Sequence, residues 1–141
     1  MSKKEISALN ILVYRQNTKL PIALEELNKF GFKKGHWSWW AFPTELAGKS
    51  EPQIRDRKLC GFLGKSFITN NTANQLLENA PEIWKSVLIK ICELLEKNKK
   101  MDGIIPKIDQ SRVIYFVKFW NSIENKPDWF NNIMLILSKF I

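Results

Sequence analysis

The chain holds one histidine, His36, and it stands at the head of the densest aromatic stretch in the sequence. Residues 33–45 read Lys33-Lys34-Gly35-His36-Trp37-Ser38-Trp39-Trp40-Ala41-Phe42-Pro43-Thr44-Glu45, with four large aromatic side chains between the histidine and the glutamate. An imidazole titrates near neutral pH, and a carboxylate can orient it or share its proton transfers. His36 with Glu45 or Glu51 is therefore the acid/base set that the sequence offers for catalysis. Flat rings beside such groups suit a base or a sugar, so Trp37, Trp39, Trp40 and Phe42 are expected to wall a ligand pocket. Arg55 and Lys58 lie three residues apart, on one face of a helix through them. They are expected to hold an anionic group of the ligand, or else to pair with Glu51.

Two other uses of the same segment stay open. Rings of this size bury roughly 150–250 Å² each, so some of them must belong to the core, with His36 then hydrogen-bonded structurally. A contact surface for nucleic acid or a partner protein is the third use. Other chemistry is demoted by residue count and spacing. Gly-Lys-Ser occurs twice, at 48–50 and 64–66, but a phosphate-binding loop needs a glycine five positions earlier, where Pro43 and Leu59 stand. One histidine and two separated cysteines do not make a usual zinc site, so no metal and no cofactor is expected. Cys60 and Cys92 both sit in apolar, helix-like contexts and read as inert core thiols.

Composition bounds the partners. The 141 residues suit one domain, 1–141, and 45% hydrophobic with 26% charged residues is ordinary for a globular chain. The net charge of +8 is uneven: residues 1–70 hold 12 basic and 6 acidic side chains, residues 71–141 hold 10 and 8. Such a balance favours an anionic partner, either a small molecule or nucleic acid, although no basic run exceeds two residues and a simple solubility charge fits as well. The apolar stretch after the N-terminus is broken by Asn10, Arg15 and Gln16, unlike a signal peptide, and no window approaches a transmembrane span. With two thiols and no disulfide framework, a cytoplasmic protein without membrane association is expected.

The elements that must position these residues are helical. Residues 6–16 carry Leu9, Leu12 and Val13 on one side. Pro21 suits the first position of a second helix over 21–30, which Gly31 ends. Residues 35–49 follow neither helical nor strand period and read as an irregular, aromatic-rich loop. Ser50 with Gln53 resembles a capping box for a helix over 51–62, and 72–78 makes a short helical piece. The longest amphipathic stripe, Ile83, Trp84, Val87, Leu88, Ile91, Cys92, Leu94 and Leu95, predicts a central helix over 81–97. Asp109 is expected to cap a helix carrying Val113, Ile114, Phe116, Val117 and Trp120 inward. Pro127 and Asp128 open a last helix carrying Trp129, Phe130, Ile133, Met134 and Leu137. The fold class is all-α, a compact single domain of about six helices around an irregular aromatic-rich loop.

The run His36-Trp37-Ser38-Trp39-Trp40-Ala41-Phe42-Pro43 resembles the H-W-x-W-x-x-F-P motif of the bacterial domain-of-unknown-function family 1810. The likeness continues in the basic, glycine-containing turn Lys33, Lys34, Gly35 before it and in Gly48 and Ser50 after it. Thr72-Ala73-Asn74-Gln75-Leu76-Leu77 and Pro81 extend it, so residues 10–97 are covered. Thr44 stands where family members tend to have glutamine. The resemblance implies a small helical fold and assigns no reaction. The leading functional expectation is thus an aromatic pocket that binds, and in its enzymatic version processes, a nucleotide-like or other anionic ligand. The rival is a non-enzymatic basic module for nucleic acid or a partner protein.

Overall fold

The computed structural model describes residues 1–45 and 66–141. Six α-helices run through them, with no strand among the described residues. They are α1 (Lys3–Phe30), α2 (Ser38–Ala41), α3 (Ala73–Glu78), α4 (Glu82–Asn98), α5 (Lys107–Asn121) and α6 (Asp128–Ser138). The architecture is the all-α single domain that the periodicity predicts. The helix expected over 51–62, the Gly-Lys-Ser tripeptide at 48–50 and most of the one at 64–66 lie outside the described residues, as do Glu51, Arg55, Lys58 and Cys60.

A capping box starts α1: Ser2 Oγ accepts from Glu5 N at 3.1 Å while Glu5 Oε1 accepts from Ser2 N at 3.0 Å. The other carboxylate oxygen of Glu5 accepts from Thr69 Oγ1 and from Asn71 Nδ2, which ties the helix start to residues 69–71. The helix then runs unbroken through Pro21 to Gly31, instead of dividing into 6–16 and 21–30. Proline inside a helix removes one backbone hydrogen bond and costs about 3 kcal/mol. Two features offset that cost here. Pro21 lies on the solvent face, so the Asn17 carbonyl it leaves unbonded meets water, and Leu12, Leu20, Ala23 and Leu27 keep one buried stripe on either side of it. Fully burying each leucine contributes about 1.5–3 kcal/mol. Gly31 ends the helix in the left-handed conformation, φ 76°, with its N–H on Leu27 O at 2.9 Å.

Helix α1 packs along α4, whose Trp84, Val87, Leu88, Ile91, Cys92 and Leu95 are all buried. Helix α6 closes over α4 and α5, and the aromatic centre of the core forms where they meet. Trp120 and Phe130 stand 4.9 Å apart between ring centroids, and Phe42 from the motif meets Phe116 at 5.4 Å. Pro106, not Asp109, occupies the N-cap of α5, and Asp109 falls in the first turn. Ile114, expected inward, is exposed, because Val113, Phe116, Val117 and Trp120 already define the buried stripe of α5 and position 114 lies off it. No helix among the described residues is long and apolar enough to cross a membrane.

Candidate functional site

The motif occupies the middle of the fold. Residues 35–45 are not wholly irregular: Ser38–Ala41 forms one α-helical turn, α2, against which α1, α4 and α5 all pack. Trp37 O receives Trp40 N at 3.2 Å and Ala41 N at 3.1 Å, and Ser38 O receives Phe42 N at 2.8 Å. Pro43 stops the helix there, since a residue before proline is disfavoured in the α region, and Phe42 adopts φ −121°, ψ 63°.

A helix end leaves carbonyls without backbone partners, and buried ones must find others. Here four consecutive carbonyls are met by side chains from three helices. Gln16 Nε2 donates to Trp40 O at 2.9 Å, Trp84 Nε1 to Ala41 O at 2.9 Å, Arg112 Nε to Phe42 O at 2.9 Å, and Trp120 Nε1 to Pro43 O at 2.9 Å. All four donor residues are buried. These were not among the expected site residues. The signal for two of them was present: Gln16 and Arg112 are polar residues set at core positions of amphipathic helices.

The turn before the motif is clamped from beneath. Glu26 Oε1 accepts from Gly35 N at 2.8 Å, from Trp37 Nε1 at 3.2 Å and from Lys34 N. Partial burial alone would push the Glu26 carboxyl up. The backbone N–H groups of Gly35 and Lys34, the indole N–H and the nearby Lys33 charge outweigh it and hold it below the ordinary value. A Cβ at Gly35 would stand 2.9 Å from Glu26 Oε2 and 3.2 Å from Trp37 Cδ1, so the carboxylate approaches this closely only because the residue is glycine. Lys33 is buried. Its ammonium pairs with Asp109 Oδ2 at 2.9 Å, donates to Gly35 O and lies 5.0 Å from the centre of the Trp37 ring.

The expected site residues therefore divide. Trp37, Trp40 and Phe42 are buried in the hydrophobic core. Trp39 is half-buried, packs on that core and meets Trp40 edge to face at 5.6 Å. His36 and Glu45 are exposed at opposite ends of the segment, and no hydrogen bond or ion pair orients either side chain among the described residues. An acid/base pair needs its histidine tautomer fixed by a partner, so this arrangement places the two groups without coupling them. Ser38 Oγ and Trp40 Nε1 are buried without a hydrogen-bond partner among the described residues. Among the described residues, surface clefts lie along α1, between α1 and α3, and between α4 and α6, lined by side chains outside the motif.

No group of three or more His, Cys, Asp or Glu side chains able to hold a metal ion occurs among the described residues. Cys92 is buried, and burial, with the Glu96 and Glu93 charges behind it, pushes its thiol up to about 12, away from nucleophile chemistry. Comparison of the chain with protein-family models, with curated proteins and with solved structures finds no match.

Proposed function

We propose that the protein binds a nucleotide-like or other planar anionic small molecule at the open edge of the α2 turn. Trp39 carries the reading: it is the indole of the motif that still reaches solvent, on a backbone held by four buried donors. A ring presented on a fixed backbone loses little freedom when a flat ligand stacks on it, so less of the contact energy is spent on ordering. His36 and Glu45 flank the segment as polar contacts. In the enzymatic version of the reading they do the acid/base work once a ligand lies between them. Arg55 and Lys58, in the stretch after Glu45, serve as the anion's partners. A cytoplasmic setting and kinship with family 1810, through the His36–Pro43 motif, belong to the same reading.

Thermal shift and intrinsic tryptophan fluorescence across a panel of nucleotides and ADP-ribose test this. A ligand that raises the melting point and changes the emission is expected, with both signals lost in Trp39→Ala. A panel with no response, or a response that survives Trp39→Ala, contradicts the proposal. The basic-module reading is favoured by a different surface, at the C-terminal end of α1.

A further inference from the structure

At the end of α1 the chain displays two aromatic rings in solvent. Phe30 and Phe32 are 42% and 40% exposed, although phenylalanine is among the side chains most often buried. Gly31 between them is left-handed, which turns the chain so that the rings lie side by side, 6.1 Å between centroids. Both ends of this turn are pinned, by Gly31 N on Leu27 O at 2.9 Å and by Lys33 N on Ile104 O at 2.9 Å. The rings are thus held out by a fixed backbone.

Their surroundings are basic. Lys34 Nζ lies 4.2 Å and Lys29 Nζ 5.3 Å from the centre of the Phe30 ring. The Lys33–Ile104 bond and the Lys33–Asp109 pair bring the α4–α5 connection, with exposed Lys99 and Lys100, and the start of α5, with exposed Lys107 and with Ile108 82% exposed, to this side of the molecule. None of these five exposed lysines makes an ion pair among the described residues. The acidic groups facing the corner are largely occupied. Glu26 accepts three N–H bonds, Asp109 pairs with Lys33, and Asp102 accepts from Gln110 at 2.8 Å, which leaves Glu25 as the exposed carboxylate without a bond among the described residues.

We propose that this corner, Phe30 and Phe32 with Lys29, Lys34 and Lys107, is a binding surface for single-stranded nucleic acid. The inference is independent of any ligand at Trp39. Unpaired bases present flat faces to the two rings, and the phosphates between them draw the lysines off the rings and release counterions. A duplex hides its base faces and meets the lysines alone, so single strands bind more tightly than duplex of the same length.

Fluorescence anisotropy with a labelled single strand of about 15 nucleotides tests the assignment at about 50 mM and about 200 mM salt. Duplex of equal length and phosphatidylserine vesicles form the comparison arms. Binding that favours the single strand and weakens steeply with salt is expected. The Phe30→Ala/Phe32→Ala variant should lose at least about tenfold in affinity. The Lys29→Gln/Lys34→Gln variant, whose side chains are exposed and whose fold is not at risk, should flatten the log–log salt slope by about 1.4. Trp39→Ala should bind the strand as the parent does, which separates this surface from the small-molecule site. No binding at the lower salt overturns the proposal. So does duplex binding of equal strength that ignores the phenylalanines, binding that ignores both double variants, or capture by the vesicles with none by nucleic acid.

Discussion

The α2 turn and the corner at the end of α1 both carry large aromatic rings, with Lys33 and Lys34 between them, and they do opposite things with those rings. In the turn, four successive carbonyls point into the core and are bonded there by Gln16, Trp84, Arg112 and Trp120, so Trp37, Trp40 and Phe42 are drawn inside and Trp39 alone of the motif's rings stays half-buried. At the corner the N–H groups of Gly31 and Lys33 are met by backbone carbonyls, Leu27 O and Ile104 O, and among the described residues no side-chain donor draws the ring-bearing residues inward. The lysines divide in the same way: Lys33 is buried against Asp109, whereas Lys34 lies in solvent over Phe30. Where the backbone polar groups go decides which aromatics are core and which remain for a partner.

The largest expected contrast is between rings of the two regions. Trp120→Ala removes a fully buried indole together with the donor to Pro43 O, and should cost about 3–5 kcal/mol in urea denaturation. Phe30→Ala should cost less than about 1 kcal/mol, because half-exposed side chains lose little on truncation. Equal losses would erase the distinction between the regions. The lysine pair comes next. Lys33→Met strands the Asp109 carboxylate and the Gly35 carbonyl, at a cost of about 2 kcal/mol after solvent screening of the partly exposed aspartate. Lys34→Met should change stability by less than about 0.5 kcal/mol.

The smallest effect is a pH dependence that acts through Glu26 beneath the turn and Glu5 at the start of α1, and leaves the corner's lysine charges unchanged. Glu26 is held below its ordinary value, and the hydrogen bonds from Thr69, Ser2 and Asn71 lower Glu5 from 4.5 to about 2. A carboxylate with a depressed folded value stabilises the fold above its unfolded value. That contribution is lost as pH falls through the folded one. The urea midpoint should therefore be flat near neutrality and decline from about pH 4.5 towards pH 2. Glu26→Gln should show a shallower decline, and an unchanged decline would show that the carboxylate beneath the turn is not coupled to folding.

Helix α4 is legible in the sequence because its stripe is long, unbroken and of one period. Helix α1 is legible at its C-terminal end, Gly31, but neither in its start at the Ser2–Glu5 capping box nor in its continuity. Pro21 fits a helix start as well as a solvent-facing interior position, and only packing against α4 distinguishes them. The aromatic motif is legible as a dense cluster of rings, some of which must be core. What it does is not, because the donors that fix it stand 24 to 77 residues away and local spacing does not say which carbonyls they meet. Gln16 is the instructive case: within its own helix it only interrupts an apolar stretch, and its buried position acquires a reason once Trp40 O is placed beside it.

The central claim is that the motif is fixed through its carbonyls, and deleting single N–H groups while keeping a ring tests it most directly. Trp84→Phe and Trp120→Phe remove the donors to Ala41 O and Pro43 O. Trp129→Phe serves as the control, since the Trp129 indole N–H makes no hydrogen bond among the described residues. Urea denaturation should show each of the first two losing about 1–3 kcal/mol more than the control, the cost of a buried carbonyl left without its partner. Losses equal to the control in both variants would contradict the account.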